Sequence, residues 1–359
     1  MTSKEVKIPC VLFLYTELGG YTFACMKKLA AEGVEVHVVH FPVNAEAPFQ
    51  FASSEGLTLY VNTAYNRTEL LDKVLDIKPD LVFCSGWVNK EYLFVCRKLQ
   101  GRATLVMCMD NQWRATPKQY VGSCIARFSF LRIFDKTWVP GTRQVEYARR
   151  MGFSLADIHT GFYCCDVNLY QSYYASSLEK KMQEIPKRFL YVGRYFDYKG
   201  ITDLWSAFVK LQQNFPNEWE LWCVGMGTEV PVQHPQIKHF GFVQPQEMGD
   251  IVSGSGVFVM PSRFDQWGVA LQEFAIAGFP LICSNRVGAS DTYLKQRENG
   301  FLFQGEDVED LMEAMKKTIA SSPSTLKTMA QKSHELGLAI TPETWVKTVK
   351  DLLQERQVN

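Results

Sequence analysis

Short apolar runs recur along this chain, each followed by a longer stretch with helical spacing. Residues 10–15 (Cys-Val-Leu-Phe-Leu-Tyr) predict a buried strand, 16–20 a turn and 21–32 a helix. Gly33 stops that helix before a second strand at 34–39. Further strands are predicted at 81–84, 104–109 and 137–139, with helices between them, such as 68–76, which ends short of Pro79. A polar stretch at 168–188 reads as a helix and linker, and then the alternation resumes. It predicts strands at 189–192, 219–224, 237–240, 257–260 and 281–284, and helices at 201–213 and 269–277. Thr341 and Pro342, an N-cap and a first-turn proline, open a last helix to about residue 354. The pattern is α/β, with two doubly wound, Rossmann-like domains facing each other across a cleft. The expected domains are 1–165 and 187–341, joined by 166–186. Ligands of such sheets bind beyond the carboxyl ends of the strands, so the chemistry belongs in those loops.

A length of 359 residues suits two cores better than one. Lys+Arg and Asp+Glu each total 38, which leaves no basic footprint for nucleic acid. Residues 1–164 carry 19 basic and 15 acidic side chains, against 19 and 23 in 165–359, so the first half is slightly positive. The 10 cysteines form no CxxC pair or zinc spacing, and several lie inside apolar runs, as reduced thiols do. His37 and His40 flank a strand and read as structural. With no leader-like start and no apolar stretch of about 18 residues, a cytoplasmic protein is expected.

The densest chemistry lies at 261–280, where strand, loop and helix follow in turn. The helix is apolar almost all round, yet it carries Glu273. A carboxylate there needs a partner, either a core arginine or a pair of donating hydroxyls such as a ribose diol. Gly268 and Val269 open the helix, so their N–H groups would face an anion, and Asp265 stands at the mouth. Arg194 and Lys199 follow the strand at 189–192 and suit a diphosphate, unless they are simply solvated. Gly19 and Gly20 open the first helix and would let backbone approach a phosphate, although they do not make a GxGxxG fingerprint. Asp110 ends the strand at 104–109, where it could orient a sugar or initiate a turn. Residues 125–134 mix apolar side chains with two arginines, which fits either a membrane-surface contact or a core helix.

Taken together, these segments resemble the retaining GT-B glycosyltransferases of glycosyltransferase family 4, or group 1. Val192-Gly193-Arg194 with Lys199-Gly200 looks like the family's VGR…KG segment, and Asp265 to Glu273 like its E-x7-E motif. Phe240-Gly241-Phe242-Val243 resembles its FLGYV strand, Asn299-Gly300-Phe301-Leu302 its NGxL segment, and Thr160-Gly161-Phe162 with Asp166 its domain junction. The resemblance implies that Arg194 and Lys199 hold the donor diphosphate and that Glu273 holds the ribose hydroxyls. Phe242 and Val243 would meet the base, and Gly19 or Gly20 would close over the phosphates. It implies no metal or other cofactor, and no protein nucleophile. The helix at 342–359 would pack back on the first domain. The partners it implies are a nucleotide-diphosphate sugar and a glycan or lipid-linked acceptor, with a possible peripheral contact on the inner face of a membrane. Asp265 replaces the family's usual Glu at a position that meets the donor sugar, and Asp110 stands where many relatives have a histidine. The alternatives are a sugar-nucleotide epimerase or hydrolase on the same fold, or a non-catalytic nucleotide-sugar-binding protein.

Overall fold

The computed structural model describes residues 8–42 and 51–358. Its contacts divide the chain into two compact units, Met1–Cys164 with Thr341–Asn359, and Cys165–Ile340.

In the first unit the strands are β1 (Cys10–Tyr15), β2 (Glu35–His40), β3 (Leu57–Val61), β4 (Leu81–Ser85), β5 (Thr104–Cys108), β6 (Lys136–Val139) and β7 (Ile158–Thr160). They form one parallel sheet in the order β3-β2-β1-β4-β5-β6-β7, which reverses direction between β1 and β4. The six residues of β1 are all buried, as apolar runs are when helices cover both faces of a sheet. Asn66 and Glu69 start the Arg67–Ile77 helix with a reciprocal capping box. The closing helix Pro342–Val358 supplies Trp345, whose ring lies 5.9 Å from Phe13 and 5.0 Å from Trp138. The Trp345 indole N–H donates to the Phe162 carbonyl at 3.0 Å. Lys28–Glu343 (2.9 Å) and Lys350–Glu32 (2.7 Å) pin the helix at its rim.

The second unit holds β8 (Arg188–Val192), β9 (Glu220–Val224), β10 (Ile237–His239), β11 (Val257–Met260), β12 (Leu281–Ser284) and β13 (Gly300–Phe303). These are also parallel, in the order β10-β9-β8-β11-β12-β13, and the order reverses between β8 and β11. Phe189, Phe208 and Trp219 pack one face of the sheet, and Phe258 stacks on Phe274 at 4.2 Å on the other. The region read as a helix and linker is the 17-residue helix Val167–Gln183, capped by Asp166, with a short connection to β8.

The strands absent from the sequence reading are β3, β7 and β13. Each is the edge of its sheet, and each has half-exposed positions that blur the apolar run. All 10 cysteines are free, and Cys124 is the exposed one. The segment at 125–134 does not form a core helix. The Pro117–Phe128 helix buries Ser123 and Ala126, while Ile125 and Phe128 face solvent.

Candidate functional site

The strand order reverses between β8 and β11, and the space beyond the carboxyl ends at such a reversal is the usual ligand position in an open parallel sheet. The loops that follow these two strands are fastened together. The N–H groups of Arg263 and Phe264 donate to the Tyr198 carbonyl at 3.0 and 3.4 Å. Gly200 makes the close approach possible: its φ is +66°, and a Cβ there would lie 2.1 Å from the Pro261 carbonyl oxygen. The Arg263 guanidinium grips Asp203 through two bonds of 2.8 and 2.7 Å and Asp197 at 2.7 Å. The Asp203 carboxylate, reinforced by Asp197, raises the Arg263 pKa. Its charge is spent on holding the loops in register.

On this frame the Lys199 ammonium meets the Asp265 carboxylate at 2.6 Å, with both side chains mostly buried. Arg194 donates to the Tyr198 hydroxyl at 2.8 Å and lies 5.4 Å from the centre of the Phe196 ring. Tyr198 therefore joins Arg194, through its hydroxyl, to the loop that carries Asp265, through its carbonyl. Asp265 is tied in turn to the loop after β12, since its carbonyl accepts from Gly288 N–H at 3.1 Å.

The Val269–Ile276 helix begins beside this pair. Gly268 caps it in the left-handed region (φ 90°) without a side-chain bond, and a Cβ there would lie 2.5 Å from Met260 Cε. The Val269 N–H has no acceptor within the helix and lies at the positive end of its dipole, while the Leu271 N–H donates to the Gly268 carbonyl at 3.0 Å. Glu273 stands about 6 Å further along the helix axis. Burial pushes its carboxyl pKa up to about 7, although the Tyr170 hydroxyl donates to it and opposes the rise. Its partner is thus a phenol on the neighbouring helix, not the core arginine that the sequence left open. Asp166, which adds its repulsion, is the N-cap of that same helix. Phe242 and Val243 are half-buried and follow β10, two strands away from β8 along the carboxyl edge.

The remaining predicted residues belong to the first unit, at its own reversal. Gly19 caps the Gly20–Ala31 helix after β1. Asp110 follows β5 and accepts from the Tyr163 hydroxyl at 3.1 Å, while its carbonyl accepts from Gln144 at 3.1 Å. Tyr163 packs edge-on against Tyr21 at 5.6 Å, so a cluster of phenols and one carboxylate surrounds this loop. Burial raises the Tyr163 pKa first, and the nearby Asp110 charge raises it further.

The structure thus places Arg194, Lys199, Asp265, Gly268 and Val269 on the two fastened loops after β8 and β11, with Glu273 a turn beyond, and Gly19, Gly20 and Asp110 after β1 and β5 of the first unit. Sequence reasoning passed over Tyr198, Tyr170 and Tyr163, which hold the predicted residues in place. Tyr198 sits inside the 193–200 segment and was legible by position. Tyr170 was hidden in a stretch that read as polar. Asn299 proves to be structural: it is fully buried and donates to Tyr293 and Ser333.

Two parallel doubly wound sheets of this topology define a two-domain α/β protein of the GT-B class. Residues 186–321, which lie within the second unit, match the family described as "Glycosyl transferases group 1". An uncharacterized glycosyltransferase of Haemophilus influenzae is 24% identical over 170 residues, covering 44% of this chain and 48% of the relative. A glycogen synthase of Mycobacterium tuberculosis is 26% identical over 159 residues, covering 42% and 38%. The matches thus span about half the length of these relatives or less. Similar solved structures cover both units. Sucrose-phosphate synthase of Thermosynechococcus elongatus superposes with a TM-score of 0.71 at 17% identity, covering 97% of this chain and 98% of that one. HepE of Anabaena, solved with UDP and glucose, has a TM-score of 0.72 at 14% identity, covering 97% and 100%.

Proposed function

We propose that this chain is a retaining, metal-independent glycosyltransferase that moves a sugar from a nucleotide-diphosphate donor to a glycan or lipid-linked acceptor in the cytoplasm. The observation that carries this reading is the fastened pair of loops at the β8/β11 reversal. Together they hold two cations, an acidic side chain and an open helix start at the carboxyl end of the sheet. In this reading Arg194 and Lys199 bind the donor diphosphate and offset charge on the leaving group as the sugar–phosphate bond breaks. Part of the positive charge is prepositioned, because Asp265 holds Lys199 at 2.6 Å before any ligand arrives. The N–H groups at Gly268 and Val269 add fixed donors that need no reorganisation. Asp265 then has a second task, accepting from hydroxyls of the donor sugar alongside its bonds from Lys199 and the Trp267 N–H. Glu273 accepts from the ribose diol, with its rotamer set by Tyr170. Phe242 and Val243 flank the base.

The second unit takes the donor. The first takes the acceptor, where Asp110 and Tyr163 offer a carboxylate and a phenol to sugar hydroxyls, and Gly19 and Gly20 let backbone approach a phosphate. No side chain is assigned as a nucleophile, since the leaving phosphate itself can assist the incoming hydroxyl on the same face. HepE was solved with UDP-glucose, and another structural neighbour, a starch synthase IV of Arabidopsis thaliana, with ADP and acarbose. Both fit a nucleotide-sugar reading without choosing the base.

The test is a thermal-shift panel of UDP-, GDP- and ADP-sugars on the wild type and on Lys199→Ala and Glu273→Ala. One donor at 100 times its Kd should stabilise the wild type by about 2.7 kcal/mol and both variants far less. Equal shifts in all three proteins would sink the reading. Product analysis with that donor then separates transfer from the alternatives, because a free sugar or an isomer without acceptor product indicates a hydrolase or epimerase.

A further inference from the structure

The Pro117–Phe128 helix is turned inside out. Its buried side chains, Ser123 and Ala126, are small, while Tyr120, Val121, Ile125 and Phe128 are 50%, 60%, 60% and 74% exposed. Positions 121, 125 and 128 recur at helical period, and exposed Cys124 lies beside them, so these side chains form one continuous apolar stripe facing water. Single exposed apolar residues are ordinary, but a stripe of this kind marks an interaction face.

Charge identifies the partner. Between residues 111 and 134 the chain carries Arg114, Lys118, Arg127 and Arg132 and no Asp or Glu. Arg132 lies 5.9 Å from the centre of the Phe128 ring, which places a guanidinium at the tip of the stripe. A recess alongside is lined by Arg127, Arg132, Arg149 and Arg150, with Glu146 as its one acidic neighbour. Glu146 is engaged by Arg150 at 2.6 Å. Arg127, Arg132 and Arg149 have no carboxylate within salt-bridge distance among the described residues. A second copy of this chain would bring arginine against arginine, so a self-complementary contact is disfavoured. An anionic lipid surface answers both features, because apolar side chains enter the acyl boundary while guanidinium groups reach the phosphates. No helix among the described residues is long and apolar enough to cross a membrane, so this contact lies on the surface.

We infer that the Pro117–Phe128 helix docks on an anionic bilayer. Val121, Ile125 and Phe128 would lie at the headgroup boundary, with a lipid phosphate in the arginine recess. This goes beyond sugar transfer and does not depend on it.

Vesicle co-sedimentation of the full chain tests the inference, using phosphatidylcholine alone and phosphatidylcholine mixed with phosphatidylserine. The wild type should pellet with the anionic vesicles, remain in solution with the neutral ones, and be released by added salt. Arg127→Gln with Arg132→Gln should lower the partition coefficient on the order of thirtyfold, as removal of two surface cations does. Ile125→Ser with Phe128→Ser should abolish pelleting. Both pairs are exposed, so an unchanged melting temperature confirms an intact fold. Equal recovery on the two lipid compositions, or variants that pellet like the wild type, would overturn the inference. So would sedimentation of the free protein as a dimer that Phe128→Ser dissociates, which assigns the stripe to a second copy.

Discussion

Glu273 shows how burial turns an ordinary side chain into a pH-sensitive one. Its carboxyl is held neutral to about pH 7 because the charged form is poorly solvated there, with Tyr170 opposing the shift. The folded state therefore keeps a proton that the unfolded chain has released, and stability falls as pH rises from about 4.5 to about 7. Glu273→Gln should flatten urea-denaturation stability across that window. If the carboxylate accepts from a ribose diol, donor affinity in the wild type should rise as pH passes through about 7. Glu273→Gln should weaken donor binding roughly tenfold or more and remove that pH dependence, as loss of hydrogen bonds to a charged group does. Calorimetric titration at pH 6 and pH 8 measures both effects (each about one pH unit from the midpoint). An unchanged wild-type affinity between them would detach Glu273 from the ligand.

At the scale of elements, the site depends on two loops meeting at one point. Gly200 is where they meet, and its left-handed backbone and missing Cβ are both required. Gly200→Ala would force a methyl onto the Pro261 carbonyl and strain the backbone as well, costing on the order of 3 kcal/mol. The separated loops would pull Lys199 away from Asp265, so donor binding should be lost even where the variant remains folded. Denaturation midpoints together with donor-induced thermal shifts on the variant read the two effects separately. The Pro117–Phe128 helix teaches the converse. Its sequence neighbourhood at 125–134 mixes apolar side chains with two arginines, and that mixture cannot say which face meets the core. The fold buries the side that carries the small residues Ser123 and Ala126.

Across the whole molecule, the last helix completes a core begun more than three hundred residues earlier. Trp345 stacks on Phe13, packs at a tilt against Trp138 and is 1% exposed, so residues 341–359 belong physically with 1–164. Trp345→Ala should cost about 3–5 kcal/mol. That corresponds to a melting temperature lower by roughly 10 °C for a unit of this size, which calorimetry would register. A loss below about 1 kcal/mol would mean that the helix is held chiefly by its ion pairs at the rim.

The alternation of apolar runs and helical stretches determined by itself that this is a parallel α/β chain with two cores. It also named the loops after the strands at 189–192 and 257–260 as the place of chemistry. Those features are local: a fully buried strand and the cap that follows it leave their mark in adjacent residues. The edge strands β3, β7 and β13 left little trace, because half of each faces solvent. Only the folded chain decided that Lys199 meets Asp265, that Tyr170 answers Glu273, and that Arg263 is a clamp rather than a ligand. These pairings join residues 60 to more than 100 positions apart, as the 66-residue span from Lys199 to Asp265 illustrates. Such contacts follow from strand order, and strand order is set by how whole elements pack.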